Sequence, residues 1–211
     1  MKTRLIVLIM ILMLCGSLAF AQNKASFAVL GGINYQNLNG KYDNGNKLQN
    51  DMLMGYHVGV NIQLPIAPEI YFQPGLMYAL KGSKISGTKY KLSYIELPLN
   101  VVYKASLGSG YFMLGFGPYL AYGIGGKVVP EGGSSSDISF RKSMEPGDTP
   151  FTVYKPFDAG GNILFGYEMA GGLFIQMDAQ LGMLNIYPEN GGSDISTMKN
   201  TGFGLSLGYR F

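Results

Sequence analysis

Charge is scarce in this chain. Asp, Glu, Lys and Arg make up 14% of it, about half the share of a typical soluble domain. Cysteine occurs once, histidine once and tryptophan not at all. Long apolar runs are also missing after the first twenty residues, which excludes a bundle of membrane-spanning helices. A hydrophobic content of 47% excludes a disordered chain. What is abundant is glycine, at 31 residues, together with 15 tyrosines and 12 phenylalanines.

The N-terminus carries Lys2 and Arg4, an apolar stretch from Leu5 to Leu14, and Ala19-Phe20-Ala21 before Gln22. That order of basic start, apolar middle and small-x-small triplet predicts a secretory leader over residues 1–21, removed on export. Leu14 is too bulky for a lipidation site at Cys15. Cleavage leaves no cysteine, so disulfide and thiol chemistry are excluded. Without Lys2 and Arg4 the 16 basic residues become 14, against 13 acidic ones, a balance that gives no electrostatic basis for nucleic-acid binding.

The mature chain, 22–211, reads as one domain of eight alternating segments at about 26–35, 55–64, 69–79, 92–104, 111–122, 156–168, 172–184 and 201–211. Each has the roughly ten residues that a tilted strand needs to cross a bilayer. Short connections around Pro65–Pro68, Ala105–Gly110 and Met169–Gly171 alternate with long ones at 36–54, 80–91, 123–155 and 185–200. The predicted fold is all-β: an eight-stranded antiparallel up-and-down transmembrane barrel with short periplasmic turns and long extracellular loops.

In the last segment Phe203, Leu205, Leu207, Tyr209 and Phe211 share one face, while Gly202, Gly204, Ser206, Gly208 and Arg210 share the other. Once each segment's apolar face is turned to lipid, His57, Glu69, Glu96, Lys104, Asp158, Glu168, Asp178 and Arg210 all fall on the inward parity. A Lys or Arg facing lipid at mid-depth costs about 2–4 kcal/mol, whereas a soluble sandwich has no reason to sort its charges in this way. Outward aromatics gather near two rims, as interfacial belts do. Pro74 and Pro98 lie within strands and predict local bulges or bends.

The chain resembles the porin-family, PorT-like outer-membrane β-barrel proteins of the Bacteroidota. The matching elements are Tyr94-Ile95-Glu96-Leu97-Pro98-Leu99 with Tyr103-Lys104, Gly117-Pro118-Tyr119 with Gly126-Lys127, Phe157-Asp158 with Gly160 and Gly166-Tyr167-Glu168, and Gly182-Met183-Leu184-Asn185-Ile186. The terminal Tyr209-Arg210-Phe211 resembles the signal read by the outer-membrane insertion machinery, with Tyr209 and Phe211 as its aromatics. The resemblance implies an outer-membrane location in a Gram-negative bacterium and the barrel fold. The family's named role in secretion belongs to a subset, and no motif here points to it.

An interior of eight strands is about wide enough to be filled by side chains, so no open pore is expected. Glu69, Lys104, Glu168 and Arg210, two of each sign at the periplasmic end, are expected to form ion pairs that seal the lumen. Higher up, His57, Glu96, Asp158 and Asp178 have no basic partner on a strand. Two readings stand: solvation or hydrogen bonding by Gln176, Gln180, Asn100 and Tyr94, or an acidic vestibule for a cation or basic segment. Lys81, Lys84, Lys89 and Lys91 fall in the 80–91 loop with no acid and are candidates for contact with lipopolysaccharide phosphates. The longest loop, with Gly132-Gly133-Ser134-Ser135-Ser136, reads as flexible and outward-facing.

No enzyme, cofactor or metal site is expected. His57 has no nucleophile motif beside it, and Gly123-Ile124-Gly125-Gly126 lacks the strand–turn–helix setting of a phosphate loop. The expected protein is a non-enzymatic, monomeric barrel with a structural or surface-interaction role. A narrow channel or small-ligand carrier, or an accessory barrel of a secretion system, is the alternative. Its expected partners are outer-membrane lipid, lipopolysaccharide and the insertion machinery, with any extracellular protein partner unidentified.

Overall fold

The computed structural model describes residues 25–42, 44–149, 151–189 and 195–211. The predicted leader and Cys15 lie outside them. Ten strands follow in order: β1 (Ser26–Tyr42), β2 (Asp51–Ala67), β3 (Ile70–Ile85), β4 (Thr88–Leu107), β5 (Gly110–Val129), β6 (Ser136–Phe140), β7 (Val153–Tyr154), β8 (Phe157–Glu168), β9 (Leu173–Gly182) and β10 (Ile195–Arg210). Eight form an antiparallel ring in the order β4-β3-β2-β1-β10-β9-β8-β5, closed by pairing of β4 with β5. Closure satisfies every strand edge, a necessity where no water can hydrogen-bond the backbone.

The alternation seen in the sequence sets the wall. Along β10, Gly202, Gly204, Ser206, Gly208 and Arg210 turn inward, while Phe203, Leu205, Leu207 and Tyr209 turn outward. Outward residues at mid-height are strongly exposed: Phe116 at 66%, Leu207 at 59% and Ile163 at 53%. An apolar band of that extent is sustained by hydrocarbon, not by water. At the seam, Phe211 stacks on Phe27 with centroids 6.2 Å apart and meets Tyr209 edge-on at 4.9 Å. The Phe211 amide donates to the Phe27 carbonyl at 2.8 Å. At the other rim Tyr35 stacks on Phe203 and Tyr56 lies against Tyr78.

Two local expectations are corrected. Pro74 and Pro98 cause no bulge, because the β3–β4 register runs unshifted from Pro74↔Leu99 to Met77↔Glu96. The ladder only skips the rungs where a proline has no N–H to give. Register shifts fall elsewhere: between Lys41 and Tyr42 in β1, between Met52 and His57 and between Pro65 and Ala67 in β2, and in the glycine stretch of β5, where Ser93 pairs Gly125 and Tyr94 pairs Gly123, leaving Ile124 over.

The loops are also more ordered than their composition predicts. β4 and β5 have 20 residues each, about twice what a bilayer crossing takes, so the wall rises well above the outer rim. Inside that collar β6 folds back on β5 and pairs in parallel with β7. Leu38, Leu92, Tyr94, Ile138, Tyr154 and Ile186 belong to one buried apolar cluster. Gly123 makes room for it: a Cβ there would lie 2.2 Å from the Phe140 ring. Half-buried Arg141 holds the returning segment through Asp148, whose carboxylate also accepts the Glu145 amide at 2.7 Å. Those two hydrogen bonds, the Arg141 one first, hold the Asp148 carboxyl below its usual range.

Candidate functional site

The lumen holds two ionic layers. In the lower one, near the periplasmic turns, Glu168 sits between two cations. Lys104 Nζ donates to Glu168 Oε1 at 2.7 Å and Arg210 Nε donates to Oε2 at 2.8 Å. The remaining donors are absorbed by neutral amides: Lys104 Nζ reaches Gln63 Oε1 at 3.3 Å, and Arg210 Nη1 reaches Asn61 Oδ1 at 3.1 Å. Rings supply the rest of the surroundings, with the Lys104 ammonium 5.0 Å from the Tyr111 centroid and the Arg210 guanidinium 5.5 Å from that of Phe174. Lys104, Glu168 and Arg210 are thus brought together. Glu69 is not, and its place in the expected plug is corrected. It occupies the tight β2–β3 turn with φ 63°, where strand alternation no longer sets direction. Its carboxylate lies outside and accepts the hydroxyl of outward Tyr103 at 3.1 Å.

The upper layer contains a residue that the sequence reading placed elsewhere. Lys81 is no loop lysine. β3 runs on to Ile85, and the inward parity of Met77 and Ala79 carries Lys81 into the lumen, fully buried. Its Nζ lies 2.7 Å from Glu96 Oε2 and 3.7 Å from Asp158 Oδ2, with the Tyr119 ring centroid at 4.3 Å. Glu96 also accepts a hydrogen bond from Gln180. Asp158 Oδ2 accepts Asn200 Nδ2 at 2.8 Å and the Tyr119 hydroxyl at 3.3 Å. The basic partner that Glu96 and Asp158 seemed to lack is therefore Lys81. The signal for it was the parity of β3 continued past Tyr78.

Between the layers lies a polar cavity of about 40 Å³, lined among others by Asn34, Gln36, His57, Asn100, Asp178 and Gln180. His57 Nε2 is 2.7 Å from Ser206 Oγ. The pair resembles a base with a hydroxyl nucleophile, and both residues are buried, at 6% and 1% exposure. Among the described residues no group of three or more His, Cys, Asp and Glu is placed to hold a metal.

A membrane-facing apolar wall around a charged interior is matched by sequence. The family model for the outer membrane protein beta-barrel domain matches residues 20–187. The chain belongs to that family. Among solved structures this outer-membrane barrel is similar to Neisserial surface protein A, with 14% identity, a TM-score of 0.51, and cover of 90% of this chain and 100% of that one. It is also similar to Ail, the attachment invasion locus protein of Yersinia pestis. The match to Ail in complex with the heparin analogue sucrose octasulfate has 12% identity, a TM-score of 0.44, and cover of 89% and 99%. No curated protein matches the chain.

The collar of the barrel carries the other charged feature. Lys84 stands directly across from Lys89, and Lys91 directly across from Lys127. Lys89 and Lys91 alternate with inward Leu92 and Tyr94, so all four side chains lie on the outer face. Asp51 opposite Lys84 and Asp137 opposite Lys127 flank the group, yet no ion pair within 4.0 Å forms to any of the four among the described residues. Lys127 escaped the sequence reading because the 123–155 segment has balanced charge overall. Only strand pairing shows that it joins the lysines.

Proposed function

We propose that this protein is a closed, non-enzymatic outer-membrane barrel that acts at its outer surface, exported by the leader over residues 1–21. The observation that carries this reading is the filling of the lumen: two buried ionic layers and an apolar cap stand in series across it. The barrel wall supplies a rigid frame, and solute passage is not its work. Liposome swelling with small sugars and amino acids checks the closure. Rates equal to those of protein-free liposomes are expected, and solute-dependent swelling contradicts it.

The surface partner we propose is the phosphate of lipopolysaccharide, with the lysine face as its site. Like charges directly opposite on neighbouring strands are destabilising, and two such pairs side by side call for an anion. Lys91 lies four residues above Ile95, whose rung holds Tyr78 and Tyr122 of the outer aromatic rim. Four residues span about 13 Å along the strand, about 10 Å of height once the strand tilt is counted, which is the level of headgroups and inner sugars. Each lysine near an anionic lipid surface contributes about 1 kcal/mol. Lys89→Gln with Lys91→Gln is therefore expected to weaken lipopolysaccharide binding by about tenfold or more while leaving binding of dephosphorylated lipid unchanged. Equal losses for both lipids contradict the phosphate assignment. Kinship with the PorT-like branch is supported by the Tyr94–Leu99 and Gly166–Glu168 elements, and no secretion role is drawn from it.

A further inference from the structure

Among the described residues the lumen is one positive charge short. Three basic side chains, Lys81, Lys104 and Arg210, face four carboxylates, Glu96, Asp158, Glu168 and Asp178. The first three acids are paired with the bases. Among the described residues Asp178 has no ion pair or hydrogen bond, and it borders the cavity between the layers.

The floor beneath Asp178 is shaped for something small. In β10, Gly204 pairs Asn34 on one side and Asp178 on the other, and Gly202 pairs Gln36 and Gln180 in the same way. A Cβ on Gly204 would come within 2.9 Å of Asp178 Oδ1, and one on Gly202 within 2.6 Å of Gln36 Oε1. Glycine at both places lets the two oxygens lie down over the strand at the edge of the cavity. Gln36, 3% exposed, lines that cavity, and its Oε1 has no hydrogen-bond partner; Asn34 Oδ1, also unmatched, lies against Gly55 on the far side of β1. Buried oxygens left unmatched carry a desolvation penalty that a native structure ordinarily removes.

We infer that the cavity binds one small hard monovalent cation of the sodium class, held by the Asp178 carboxylate with the amide oxygen of Gln36, which lean over β10 from either side. The donors are all oxygen, the choice of hard cations. Only one of them is charged, which matches a single positive charge and is poor for a divalent ion. A cavity of about 40 Å³ has room for about three waters, or for one such ion with water completing its shell. His57 and Glu96 are the other titratable groups lining the cavity, and Glu96 is paired with Lys81. The inference rests on the closed lumen, because the two ionic layers are what keep the ion in.

The test unfolds the mature barrel by heat in zwitterionic detergent while sodium chloride replaces N-methylglucamine chloride at fixed ionic strength. The midpoint is expected to rise by about 3–5 °C for each tenfold increase in sodium above half-saturation. Asp178→Asn, which keeps the shape and removes the charge, is expected to flatten that response. Equal midpoints at every sodium level, a response that survives in Asp178→Asn, or a response to calcium in place of sodium each overturns the inference. Should Asp178→Asn fail to fold, equilibrium dialysis of the unaltered barrel against radioactive sodium decides: about one ion retained per barrel supports the site, and none removes it. A flat sodium response from a barrel that stays closed to solutes sinks this inference alone, whereas solute passage sinks the closed-lumen reading.

Discussion

Lys81 shows how one side chain changes the meaning of its neighbours. Glu96 and Asp158 are affordable inside the wall only because an ammonium with aromatic faces on two sides stands between them. Removing one member of a buried pair leaves a naked charge and costs about 3–5 kcal/mol. Lys81→Met is therefore expected to lower the urea unfolding free energy by that amount. Glu69→Gln, at an exposed turn, is expected to change it by no more than about 0.5 kcal/mol. Equal effects of the two substitutions contradict the assignment of Lys81 to the lumen and Glu69 to the outside. Asp148 offers a pH test at the same scale. Its carboxyl is held below the usual range by Arg141, so the contact is complete above about pH 4 and is lost only as pH falls through the lowered value. Protection of the 141–149 amides from hydrogen exchange is expected to persist at pH 5 and to fade at more acid pH. Asp148→Asn is expected to lose it at all pH values.

At the level of elements, the bilayer-crossing parts were legible because lipid imposes a strict rule: each outward residue is apolar and each charge turns inward, with period two. That rule places Lys104, Glu168 and Arg210 as well as the two aromatic rims. It stops applying above the membrane, where both faces of the collar meet water or the folded loops. The extension of β3 through Lys81, the return of β6 onto β5 and the seat of Phe140 on Gly123 depend on long-range pairing, which composition does not encode. Gly132 to Ser136 read as flexible, yet Ser136 already belongs to β6. Gly123→Val fills the Phe140 seat and is expected to destabilise the cap by about 1–3 kcal/mol, with faster proteolysis between Phe140 and Val153 and an intact membrane core. Unchanged proteolysis means that the cap does not depend on that seat.

For the whole molecule, the ring of eight strands needs little beyond alternation and the rhythm of short and long connections. The contents of the ring are a different matter. Which acid meets which base depends on the stagger of strands far apart in the chain, and 42 residues separate Glu168 from Arg210. The sealing we propose is a property of the complete barrel, with the lower layer, the upper layer and the cap each blocking the path. Single-channel recording in planar bilayers tests this most directly. The unaltered barrel is predicted to give no steady openings in molar salt, with brief openings appearing only when Lys81→Ala and Lys104→Ala are combined with loss of the cap residues 136–154. A steady, voltage-independent conductance from the unaltered barrel would contradict the account.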